Sequence, residues 1–148
     1  MNTFENHKKS TSELLELIKN SPNDLDSLLD DLESEQLDMS IADYFNMIMT
    51  RKNLTPAQIV NNSNLQKTYA HQIISGERKH PSRNKLLALG FATGLSPEEM
   101  QQLLKVARLP VLYPRRRQDL VILFALKEHY HLTDVNEILL DLGEELLE

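Results

Sequence analysis

The chain has 148 residues, enough for one ordinary core or a compact domain with appendages and too few for two full domains. It has no cysteine, which excludes disulfides and thiolate metal sites, and no apolar run near the ~20 residues of a membrane span. The net charge of −6 argues against a nucleic-acid partner only if it is spread evenly; residues 1–50 hold 3 basic and 11 acidic side chains, residues 51–117 hold 12 and 3, and residues 118–148 hold 1 and 8.

Residues 1–10 carry no packing pattern and read as disordered, and residues 1–20 hold no secretory apolar segment, so a soluble cytoplasmic protein is expected. Thr11 or Ser12 can cap a short helix through Lys19, and Ser21-Pro22-Asn23 breaks the chain before an acidic helix over 24–36. That helix places Leu25, Leu28, Leu29 and Leu32 on one stripe, which either packs on the body of the protein or docks a protein partner. Residues 1–39 are thus an acidic helical arm. Ser40 caps the next helix, whose inward face is Ile41, Tyr44, Phe45, Ile48 and Met49.

Residues 55–82 read as two short helices joined by a turn, followed by a basic loop that opens a third helix. Thr55 is an N-cap and Pro56 suits the first helical position, where its missing N–H costs nothing. Ile59 and Val60 face inward, and Asn61, Asn62, Ser63 and Asn64 end the helix, Asn64 being tolerant of the left-handed conformation. Leu65 plugs the corner and Gln66 caps a helix over 67–75, with Ala70 and Ile73 buried and Lys67, Thr68, His71 and Gln72 pointing elsewhere. Gly76 ends it, and a basic loop leads to Ser82, the cap of a helix through Thr93, whose unpaired N–H groups favour an anion such as phosphate.

Gly94 closes that helix and Ser96-Pro97-Glu98-Glu99 opens another with a capping-box pattern, burying Met100, Leu103, Leu104 and Ala107. Two prolines make residues 109–114 an extended connector into helices over 115–130 and 133–142, with Gly143 as a stop. Val121, Ile122, Phe124, Ala125, Val135, Ile138, Leu139 and Leu142 exceed what a lone helical pair can hide, so they must pack on the core or on a second copy.

On these residues, positions 41–108 resemble the Cro/repressor-type (Xre-like, lambda-repressor-like) helix-turn-helix family. The matching features are Leu54-Thr55, Ile59, Leu65, Tyr69, Ile73, Ser75-Gly76, the loop over 78–82, and Leu86, Leu87, Leu89 and Leu95. Val60 stands where the family has a small residue and Ala70 where it has a bulky one, an exchange that conserves volume if the two side chains meet across the turn. Pro56 stands near a helix start where the family commonly has a polar residue, and Gln58 is the nearby substitute.

The resemblance implies an all-α fold: a five-helix DNA-binding domain over 40–109 with an N-terminal extension, 1–39, and a C-terminal helical extension, 110–148. It implies a sequence-specific transcriptional regulator that places its recognition helix in the major groove of double-stranded DNA, commonly as a homodimer. Carried onto this chain, Gln66, Lys67, Thr68, His71 and Gln72 are the base-contacting candidates. Thr55, Gln58, Tyr69, Arg78, Lys79, Ser82 and Arg83 are the phosphate-contacting candidates. Arg51 and Lys52 suit the dipole of the helix they close, and Arg115, Arg116 and Arg117 suit either DNA or the acidic flanks.

An enzyme is not expected, since there is no cysteine nucleophile, Gly-rich phosphate cradle or metal-helix signature, and no cofactor or metal is expected either. The competing reading is an adaptor that keeps the fold but binds protein, supported by the acidic leucine-rich arm and the net negative charge. The acidic flanks also suit folding over the basic centre in competition with DNA.

Overall fold

Residues 39–148 are described in the computed structural model, and among them the secondary structure is seven helices with no strand. In chain order these are α1 (Ile41–Lys52), α2 (Pro56–Ser63), α3 (Lys67–Ser75), α4 (Arg83–Thr93), α5 (Pro97–Val106), α6 (Arg117–Lys127) and α7 (Leu132–Asp141). The helices expected over 12–19 and 24–36 lie outside the described residues.

Local chemistry sets most helix limits. Ser40, Thr55 and Ser96 each form a capping box, with Asp43, Gln58 and Glu99 respectively reaching back to the cap backbone. Ser82 and Gln66 cap α4 and α3 by accepting from the amides of Lys85 and Tyr69. Such a cap is worth about 1 kcal/mol. At the other ends Asn53, Asn64, Gly76 and Gly94 take left-handed conformations that stop α1 to α4.

The C-terminal helices depart from expectation at their limits. α6 starts at Arg117 rather than 115, because Pro114 lies in a turn closed by the Arg116 amide on the Tyr113 carbonyl. It ends at Lys127 because His129 turns left-handed at φ 59°, and α7 ends at Asp141, two residues before Gly143.

α4 is central. Leu86, Leu87, Ala88, Leu89 and Gly90 are all buried, so apolar residues surround nearly its whole circumference, and it packs against α2, α5 and α7. Gly90 permits the close approach of α5, since a Cβ there would overlap the Met100 thioether. Tyr44, Phe45 and Ile48 from α1, Ile59 from α2, Ile73 from α3 and Leu103 and Leu104 from α5 complete this core.

Residues 40–148 make one compact unit, so the C-terminal segment shares the core with α1 to α5. Ile122, Ala125 and Leu126 of α6 and Leu132, Val135 and Leu139 of α7 are buried. Phe124, read from sequence as part of the apolar surplus, is 51% exposed, and Leu120 and Leu140 stand out at 53% and 65%. Two side-chain amides pin extended backbone beside these helices. Gln101 bonds both the amide and carbonyl of Leu112 (2.7 and 2.9 Å), and Asn136 does the same for Leu147 (2.8 and 3.2 Å). No helix among the described residues is long and apolar enough to cross a membrane.

Candidate nucleic-acid interface

The turn between α2 and α3 is built around a buried serine. The Ser63 hydroxyl donates to the Val60 carbonyl at 2.8 Å and accepts from the Leu65 amide at 3.2 Å, so the reversal leaves neither group unpaired. Asn64 follows at φ 58°, the left-handed step that sends the chain into α3. Ala70, Ile73 and Ile74 then face the core, while Gln66, Lys67, Thr68 and His71 are exposed and Gln72 is half-buried. The exposed side of α3 is therefore polar.

Gly76 anchors the far end of α3. Its φ of 89° disfavours any L side chain, and a Cβ would lie 3.0 Å from the Ala42 Cβ of α1. Two residues on, the Arg78 amide donates to the Gln72 carbonyl, and Arg78 Nε donates to Gln72 Oε1 at 2.7 Å. That bond occupies the Gln72 carbonyl oxygen and leaves its NH2 group as a donor. The Arg78 guanidinium also lies 4.3 Å from the centre of the Tyr69 ring, with Lys85 Nζ at 5.3 Å, so two cations share one aromatic ring. Lys79 is exposed beside them.

Several candidates have local duties. The Thr55 hydroxyl accepts from the Gln58 amide and Gln58 Oε1 accepts from the Thr55 amide, which leaves the Thr55 O–H and the Gln58 NH2 as donors. Gln66 Oε1 is likewise committed to the Tyr69 amide at 2.7 Å, and the Ser82 hydroxyl to the Lys85 amide.

Arg83 is in a different position from the other phosphate candidates. Its guanidinium forms a two-pronged ion pair with Asp119 of α6, both N–O distances being 3.1 Å. The same group donates to the carbonyls of Pro110 (2.9 Å) and Val111 (3.2 Å). Asp119 is 1% exposed and also accepts from the Tyr113 amide. Arg83 thus clasps the connector and α6 to the first turn of α4.

Arg51 and Lys52 reach across to α5, where Glu99 accepts from both at 3.4 and 3.3 Å. Burial pushes the Glu99 carboxyl up, but the Ser96 amide and the Lys52 and Arg51 charges outweigh it and hold the group below the ordinary carboxylate range. Tyr44 donates its hydroxyl to the Glu99 carbonyl at 2.7 Å, and burial, with the neighbouring Glu99 charge, pushes that phenol far above its usual value. Among the described residues no group of three or more His, Asp or Glu is placed to hold a metal ion.

Sequence reasoning missed Lys85 and Asp119. Lys85 was legible in principle, lying three residues after a capping serine beside the basic loop. Asp119 carries no local signal, since its partner is 36 residues away. The chain matches no protein-family model, no curated protein and no solved structure.

Proposed function

We propose that residues 40–109 form a Cro/repressor-type helix-turn-helix, with α2 and α3 as the paired helices, and that the protein is a sequence-specific regulator of transcription acting on double-stranded DNA. The observation carrying this is the polar outer side of α3, which Arg78, Lys79 and Lys85 border with positive charge. In a major groove, Lys67 bonds guanine O6 or N7, Thr68 meets a thymine methyl, and the Gln72 NH2 group, oriented by Arg78, donates to a base acceptor. His71 and Gln66 flank them. The phosphate-contacting set becomes Arg78, Lys79, Lys85, Ser82, Tyr69, Thr55 and Gln58, with Arg83 acting by positioning the connector.

The regulator acts as a homodimer whose two α3 helices enter successive major grooves about 34 Å apart, joined through the exposed apolar residues of α6 and α7. Selection of bound duplexes from a random pool by the full chain is expected to return a palindrome. Lys67→Ala with Gln72→Ala should then abolish preference among duplexes while leaving thermal stability intact.

The adaptor reading draws on the exposed Leu120, Phe124 and Leu140 and on the overall charge of −6. Absence of duplex binding at low salt by the full chain would favour it over the regulator.

A further inference from the structure

We infer that Arg115 and Arg116, in the turn that opens α6, form a second phosphate-binding element that grips the duplex backbone beside the segment read by α3; this rests on the duplex-binding reading above.

The placement follows from contacts already described. Lys85, in the first turn of α4, lies over the Tyr69 ring of α3. Two residues earlier in the same turn, Arg83 holds Pro110, Val111 and Asp119. Asp119 in turn accepts from the Tyr113 amide, and the Tyr113 carbonyl accepts from the Arg116 amide, so the arginine turn is pinned at both its ends. Arg116 is three residues from Asp119, at most about 11 Å of chain. The turn that carries Arg115 and Arg116 is therefore tethered, through Asp119 and Arg83, to the same first turn of α4 that places Lys85 over α3.

The two arginines are also available. Both are exposed, and neither makes an ion pair or side-chain hydrogen bond among the described residues. The nearby acids are otherwise engaged: Asp119 is buried under Arg83, and Glu144 lies 3.8 Å from Arg117, the third arginine of the run. Arginine suits this task because its planar fork pairs with phosphate oxygens and never loses its charge. The C-terminal segment as a whole is acidic, so two exposed arginines, without an ion pair among the described residues and next to the clasp on α4, mark a local exception in its composition.

The test is the salt dependence of duplex affinity of the full chain, measured by fluorescence anisotropy on the selected site with flanking sequence and on the same site trimmed of its flanks. Arg115→Gln with Arg116→Gln should lower the slope of log K against log salt by about 1.8, from 0.9 per phosphate released. The wild type should then lose roughly twelvefold more affinity than the variant between about 50 and 200 mM salt. Arg115→Lys with Arg116→Lys should restore the slope, sequence preference should not change, and on the trimmed duplex wild type and variant should coincide. Arg115→Gln alone, outside the helix, should remove half the effect. An unchanged slope in the Gln variants overturns the arginine element while duplex binding stands, and a wild type that binds no duplex at low salt removes both.

Discussion

The helix pairs α2–α3 and α6–α7 each turn an apolar stripe into the shared core, and they differ in what the other side carries. On α3 the outward positions are Lys67, Thr68 and His71; on α6 and α7 they include Leu120, Phe124 and Leu140, each more than half exposed. The first surface can be wetted at no cost and desolvated only by a polar or charged partner. The second gains by burial, at roughly 25 cal/mol for each Å2 of apolar surface covered. Their ends differ as well, since α2 and α3 start on side-chain caps and α6 and α7 do not. One pair is thus set by its own local chemistry, and the other leans on tertiary contacts, above all on Arg83 with Asp119.

Breaking that support has the largest expected effect. Asp119→Ala should cost about 3–5 kcal/mol in denaturant unfolding, because it leaves the Arg83 guanidinium largely buried without its counter-charge and the Tyr113 amide without an acceptor. Replacing both partners with apolar residues, Arg83→Met with Asp119→Leu, should cost much less, and an equal loss would show that the carbonyl bonds of Arg83 matter more than the ion pair. Gly90→Ala strikes the helix that both pairs share. The new methyl meets the buried Met100 side chain and should cost about 1–3 kcal/mol, and the same change made in a Met100→Ala background, itself destabilised by the lost core side chain, should cost less.

A third change tests the α1–α5 side alone. Because the Glu99 carboxyl titrates below its unfolded value of 4.5, its contribution to stability is complete above that pH and lost as pH falls through the lower folded value. Unfolding free energy should decline over that acid range, and Glu99→Gln should flatten the decline. The smallest effect on stability belongs to the exposed apolar surface: Leu140→Glu, at a position 65% exposed, should change unfolding by no more than ~0.5 kcal/mol. Light scattering should nonetheless find the variant monomeric where the wild type is dimeric, and a wild type that is monomeric both free and on a full operator would end the dimer assignment.

The parts of the fold legible in the sequence were those decided within one turn of helix. Ser40, Thr55, Ser82 and Ser96 announce helix starts through side chains that reach only three residues, and Asn64 and Gly76 announce stops through their tolerance of positive φ. Long-range pairing was not legible. Arg83, beside a helix start in a basic loop, has the local appearance of a phosphate ligand, and only the folding of residues 110–119 against α4 gives it a carboxylate and two carbonyls. Asp119 looks in sequence like one more member of an acidic flank. Which of the two outlets for the C-terminal apolar surplus Phe124 would take was likewise not legible, since periodicity identifies an apolar stripe but not how much of its width the neighbours cover; within the chain it stays 51% exposed.

The clasp also fixes where this polypeptide can be cut. Severing it after residue 109 would strip Arg83 of four acceptor atoms, leave the Gln101 amide without the Leu112 backbone, and uncover the part of α4 that α7 packs against. A fragment meant to keep the cover of α4 and the acceptors of Arg83 therefore continues to Leu147, whose buried side chain and doubly bonded peptide close the last seam.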